Sequence, residues 1–203
     1  MNSEPASEIG IVPLSPVVGA EIDAVDLSKP LDDDTFTAIY RAWLDHGVLL
    51  FRDQQLGDAD LVAFSRRFGD LDLAPVKGHG QVAVEGFPKV FIISNVVEDG
   101  VSIGSLGDSE LLWHTDMAYT EEPPKASCLY SLSVAESGGE TGYIDMYATW
   151  EALPADLKQR IEGRTIKHDS VYTLDGYLRN GSGDRLDPDR IDVSEIAGAS
   201  HPI

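Results

Sequence analysis

The shortness of its apolar runs limits what this chain can fold into more than any other feature. The 203 residues are cut by 19 glycines and 11 prolines, and no apolar stretch reaches membrane-spanning length. Residues 9–12 and 17–25 are short apolar pieces broken by Pro13, Pro16 and Gly19, and predict an opening strand and a turn. Asp32 to Asp34 mark a helix start, with an aspartate as N-cap and others favoured by the helix dipole. Phe36, Ile39, Tyr40, Trp43 and Leu44 then recur at helical spacing, and Gly47 is the stop. Residues 48–51 (Val-Leu-Leu-Phe) predict a buried strand, and Asp58 opens a second helix ending at Gly69, with Leu61, Val62, Phe64, Ser65 and Phe68 on one face.

Residues 70–89, with Pro75, Gly78, Gly80, Gly86 and Pro88, predict a long loop of the kind that often carries function. Strands are expected over 90–94, 126–134, 142–146 and 165–171. Residues 98–109 are expected to be flexible, and Pro123-Pro124 imposes an extended connection. Short helices are expected over 147–153 and from Pro154 to near Gly163. Residues 173–200 are rich in Gly, Asp and Arg and predict a loop or lid. Roughly eight strands against about four early helices point to a mainly β fold with flanking helices, a double-stranded β-helix or jelly roll. One domain over residues 1–203 is expected.

The 15 Lys and Arg against 35 Asp and Glu give a net charge of −20, which argues against a nucleic-acid partner because phosphate binding needs a basic face. The single cysteine, Cys128, excludes an internal disulfide and fits a reducing, cytoplasmic setting. Met1 to Gly10 lack a basic region followed by an apolar run, so no signal peptide is expected. A small-molecule substrate and a homo-oligomer, dimer or tetramer, are expected, without a membrane partner.

Trp113-His114-Thr115-Asp116 carries the chemistry. On a strand, residues two apart point to one face, roughly 6–7 Å apart, whereas on a helix they would splay by about 200°. An imidazole and a carboxylate on one face are two parts of a 2-His-1-carboxylate triad, the usual cradle for non-haem Fe(II) in oxygenases. The simplest role for His168, inside a strand pattern, is a hydrogen-bonded strand histidine. His201, before Pro202, is expected to be structural, and His46 suits a helix C-terminus. Tyr40, Trp43, Phe64 and Phe68 are expected in the core.

Together these residues resemble the TauD/TfdA family of Fe(II)- and 2-oxoglutarate-dependent dioxygenases. The resemblance runs through Gly19-Ala20-Glu21-Ile22 with Asp26-Leu27, then residues 47–54, then Phe64 to Gly69. It is strongest at Trp113-His114-Thr115-Asp116, Pro123-Pro124 and Ser137-Gly138-Gly139-Glu140-Thr141. It implies His114 and Asp116 as catalytic iron ligands and Thr141 as a hydroxyl donor to the distal carboxylate of 2-oxoglutarate. O2 would be the other cosubstrate, and an unactivated C–H bond would be oxidised with release of succinate and CO2. Loops 70–89 and 98–109 would form the substrate pocket. Glu110 falls on a substrate-contacting position and could pair with a substrate amine.

The sequence departs from the family in two places. The family's second iron histidine and its 2-oxoglutarate-binding arginine lie downstream of the region matching His201-Pro202-Ile203. The expectation is therefore a jelly roll incomplete at its C-terminus, a partial chain of an ordinary enzyme, inactive or nearly so by itself. Residues 72–76 replace a family loop bearing a substrate-contacting histidine, with His79 displaced, which points away from taurine. Two other readings use the same residues. One is a metal-assisted hydrolase or isomerase on a cupin-like barrel with Zn or Mn. The other is a truncated, non-catalytic jelly roll that binds without turnover.

Overall fold

The two opening apolar pieces pair as a hairpin in the computed structural model, which describes residues 9–73, 83–104, 113–172, 177–178, 185, 187 and 192–203. Strand β1 (Gly10–Pro13) runs antiparallel to β2 (Ala20–Asp23), with Ile11 opposite Ile22. Helix α1 (Asp33–His46) then carries the chain over to β3 (Leu49–Leu50), which pairs parallel to β2. A helix between two parallel neighbours is the usual solution for such a crossover. Helix α2 (Asp58–Ser65) follows.

The chain divides into two compact units, Met1–Ser109 with Ala126–Ala152, and Glu110–Lys125 with Leu153–Ile203. In the first, the core is built by period. Ala20 and Ile22 alternate inward along β2, and Ile39 and Ala42 face inward from α1. Ile22, Ile39 and Ala42 cluster with Leu27 and Phe64, and Leu49, Phe51 and Phe68 pack against the group. Ile39 is fully buried, which contributes about 2–3 kcal/mol. Phe64 is edge-on to Phe51 at 5.6 Å and to Phe68 at 5.4 Å. Of the aromatic residues expected in the core only Phe64 is fully buried; Tyr40, Trp43 and Phe68 form its half-buried rim.

Helix α1 begins where expected. The Asp32 carboxylate accepts from the Thr35 N–H and the Thr35 hydroxyl, each at 2.8 Å. Gly47, at φ 71°, returns its N–H to the Trp43 carbonyl at 2.8 Å. The Thr35 backbone N–H, and after it the Thr35 hydroxyl, holds the Asp32 carboxyl below its ordinary value. A lowered folded-state pKa gives stability that is present above the unfolded value and lost as pH falls through the folded one. Asp32→Asn keeps a capping oxygen but no titration. Its urea midpoint is expected to fall less steeply than the wild type below about pH 4. Asp32→Ala is expected to lower the midpoint across the whole neutral range. Superimposable pH curves for wild type and Asp32→Asn would contradict this account.

Side chains close the loops after β3. The Gln54 amide accepts from the Leu27 N–H at 2.8 Å and donates to the Val25 and Arg52 carbonyls. The Tyr130 hydroxyl accepts from the Leu56 N–H and donates to the Gln54 carbonyl, each at 3.2 Å. Strands β4 (Ala83–Val84) and β5 (Phe87–Phe91) form an antiparallel pair. So do β6 (Val97–Glu98) and β7 (Val101–Ser102), joined by Asp99 and Gly100, both at positive φ. That conformation matches the twist of a tight hairpin, so residues 97–102 are ordered where the sequence suggested a flexible stretch. The strand expected over 90–94 starts earlier, as β5.

Three other expectations are corrected. The strand predicted over 48–51 is only β3, half-buried. Residues 126–134 and 142–146 form no strand; Leu132 is 88% and Val134 78% exposed. A strand exists only through its ladder partner, and no described strand pairs with these segments. Helix α3 (Met146–Ala152) then appears as expected.

In the second unit, Pro154 precedes α4 (Ala155–Ile161), and β8 (Thr165–His168) follows. Asp192 starts a 3-10 turn, Val193–Glu195. Its carboxylate is held below the ordinary range by the Ser194 hydroxyl and N–H. The end of the predicted lid is instead the start of β9 (Ala199–Pro202), antiparallel to β8 with Ile166 opposite His201. Most of 173–191 lies outside the described residues. The described residues thus hold nine short strands and four α-helices, with one three-stranded sheet and three two-stranded ones. No helix among them is long and apolar enough to cross a membrane.

Candidate metal centre

Residues 113–122 form bends and turns, not the strand that the His-x-Asp spacing suggested. The causes are local. Met117 takes φ 51°, which no ladder accommodates, and Pro123 and Pro124 cannot donate to one. The Thr120 N–H closes the turn on the Met117 carbonyl at 2.9 Å. The Thr120 hydroxyl lies 2.8 Å from the same carbonyl and 3.1 Å from that of Glu122.

His114 Nε2 lies 3.2 Å from Asp116 Oδ1, with the side chains 56% and 63% exposed. The two groups therefore share one side of the backbone and are open to solvent. Adjacent ligands on a six-coordinate ion with ordinary bond lengths sit about 3 Å apart. An imidazole nitrogen and a carboxylate oxygen at this separation fit two neighbouring positions on such an ion. No cluster of three or more metal-ligating side chains occurs among the described residues.

His201 reaches this turn from β9, a contact the sequence did not signal. Its Nε2 lies 2.9 Å from the Ala118 carbonyl and 3.0 Å from that of Thr120. The His168 ring, on β8, is 5.7 Å from the His201 ring between centroids. Thr141 belongs to the other unit. It is exposed and follows Gly138 and Gly139, at φ 77° and 75°, without the strand expected there. Glu110 and His79 lie outside the described residues, as do 74–82 of the first predicted loop and 105–109 of the second.

The family model described as "Taurine catabolism dioxygenase TauD, TfdA family" matches residues 10–203. An alkylsulfatase of Acinetobacter baylyi is 32% identical over 201 residues, covering 98% of this chain and 59% of that protein. The alpha-ketoglutarate-dependent 2,4-dichlorophenoxyacetate dioxygenase of Cupriavidus pinatubonensis is 30% identical, covering 88% and 63%. A crystal structure of AAD-2 in complex with Mn(II) and N-oxalylglycine has TM-score 0.60 at 26% identity, covering 81% and 57%. The chain thus spans about three fifths of the length of the curated relatives it matches. It belongs to the TauD/TfdA family, whose members use Fe(II), 2-oxoglutarate and O2.

Proposed function

We propose that this chain is the Fe(II)-binding part of a 2-oxoglutarate-dependent dioxygenase that oxidises an unactivated C–H bond of a small molecule, releasing succinate and CO2. The observation that carries the reading is the exposed His114–Asp116 pair at 3.2 Å. Bound iron would supply the redox chemistry that couples 2-oxoglutarate decarboxylation to substrate oxidation.

The chain's own residues do the rest. On binding a metal, His114 would present the Nε2 lone pair in place of its contact with Asp116 Oδ1, with the ring proton on Nδ1. Asp116 presents an ionised oxygen. One anionic and one neutral donor leave half of a divalent charge to attract an anionic cosubstrate. Both donors must shed protons to bind, so acid competes with the metal. Solvent exposure keeps the open positions reachable. Thr141 donates its hydroxyl to the distal carboxylate of 2-oxoglutarate, and Glu110 meets the substrate. The jelly roll, a single domain over 1–203, cytoplasmic location and a homo-oligomer, dimer or tetramer, belong to the same reading.

Anaerobic addition of Fe(II) and 2-oxoglutarate to the full-length protein is the test. A weak visible charge-transfer band is expected, then substrate-coupled succinate release when O2 is admitted. Absence of both overturns the reading. Metal-dependent turnover without 2-oxoglutarate would favour the hydrolase or isomerase.

A further inference from the structure

We propose that His201 is a positioning residue for the metal-binding turn, holding Asp116 beside His114 through a shared hydrogen bond to the Ala118 and Thr120 carbonyls. The proposal rests on the reading of His114 and Asp116 as the metal pair. Its geometry stands within one compact unit, since Glu110–Lys125 and Leu153–Ile203 cluster together.

Both oxygens within reach of His201 Nε2, at 2.9 and 3.0 Å, are backbone carbonyls. A carbonyl only accepts, so Nε2 carries a hydrogen and divides it between them. The ring that donates it is anchored, because His201 lies in β9, opposite Ile166 of β8. The ring is half-buried and the His168 ring lies nearby.

The turn that receives the bond needs outside support. Met117, between Asp116 and the first acceptor residue, holds a positive φ of 51°, a conformation that persists in a non-glycine residue only when its surroundings enforce it. Ala118 and Thr120 lie just beyond Met117, so fixing their carbonyls fixes the direction in which the chain leaves Asp116. Without that hold the turn can relax Met117 toward ordinary φ, and the carboxylate then swings away from the imidazole. The His201 ring nitrogen meets backbone carbonyls, so it acts on the metal donors through the backbone.

The test compares wild type, His201→Gln and His201→Leu as full chains. Amide hydrogen exchange over residues 116–120 is read without metal, and Mn(II) affinity from the free-ion magnetic resonance signal. The Leu variant is expected to speed exchange in the turn and weaken Mn(II) binding by about tenfold, as for residues that orient metal ligands. The Gln variant places an N–H near the position of Nε2. It is expected to stay within about threefold of wild type on both readouts. If the Leu variant does not fold, His201→Asn, too short to reach both carbonyls, replaces it. A Leu variant, or the Asn variant in its place, with wild-type exchange in the turn overturns the proposal, as does a Gln variant as impaired as that one. Failure of the wild type to bind Mn(II) counts against the proposed function instead. Exchange over 116–120 then decides His201 by itself.

Discussion

Asp116→Ala is expected to weaken Mn(II) or Fe(II) binding by about a hundredfold or more and to bring 2-oxoglutarate-dependent succinate release to background. Loss of a residue that merely orients a ligand already costs about ten- to a hundredfold, and Asp116 is proposed as a ligand itself. It also supplies the only negative charge of the pair, so its removal leaves one neutral nitrogen to hold a divalent ion. His114→Ala is expected to do the same. Because both side chains are more than half exposed, neither change should disturb packing. Melting temperatures within about 2 °C of wild type are expected, as for surface substitutions. Asp116→Asn separates charge from shape: the oxygen remains, the anion does not, and an intermediate affinity should result. Titration by isothermal calorimetry and succinate assay read both quantities. Wild-type Mn(II) affinity in the Asp116→Ala chain would remove the site from the protein.

What the sequence disclosed follows from the range of the forces involved. Helix α1 is legible because all that makes it is local: Asp32 caps it, Ile39 and Ala42 lie on its inner face, and Gly47 ends it. Helices α3 and α4 are legible from shorter local signals, Asp145 accepting from the Ala148 N–H and Pro154 preceding the first turn of α4. Strands fared differently. Residues 126–134 and 142–146 have strand composition, but composition cannot supply a ladder partner. Residues 199–202, Ala-Ser-His-Pro, have little strand character and yet form β9, because β8 lies beside them. At the candidate site, the two residue types and their adjacency were legible in four letters of sequence. The turn was not, because it depends on the positive φ at Met117 and on the hydrogen bonds of Thr120. His201 was least legible of all. Its contact spans more than eighty positions of chain, and a histidine before a proline has no pattern that announces it.

Gly198→Ala tests how far the site depends on the small sheet behind it. Gly198 sits at φ +140°, where a side chain is strained. A Cβ there would press into the His168 carbonyl oxygen and lie 3.0 Å from the Asp169 Cα and the His168 carbonyl carbon. These obstacles are backbone at the end of β8, so none can rotate aside. Strain and overpacking together should cost on the order of 4 kcal/mol locally. The second unit has little to set against that, since Ala199 alone is fully buried among its described residues. The Lys167 ammonium bond to the Gly198 carbonyl, at 2.9 Å, would be lost first, followed by the pairing of His168 with Ala199. As β9 leaves β8, the His201 ring leaves the Ala118 and Thr120 carbonyls. The expected result is amide exchange over 165–168 and 199–202 that approaches the rate of exposed chain. Residues 33–46 keep their protection, because α1 is packed within the other unit. Metal binding should weaken in parallel, with His114 and Asp116 untouched. Protected amides throughout β8 and β9 in the alanine variant would mean that the backbone yields at Gly198. Opened β8 and β9 with wild-type exchange over 116–120 and wild-type Mn(II) affinity would rule out the sheet as the rigid support on which the His201 contact depends.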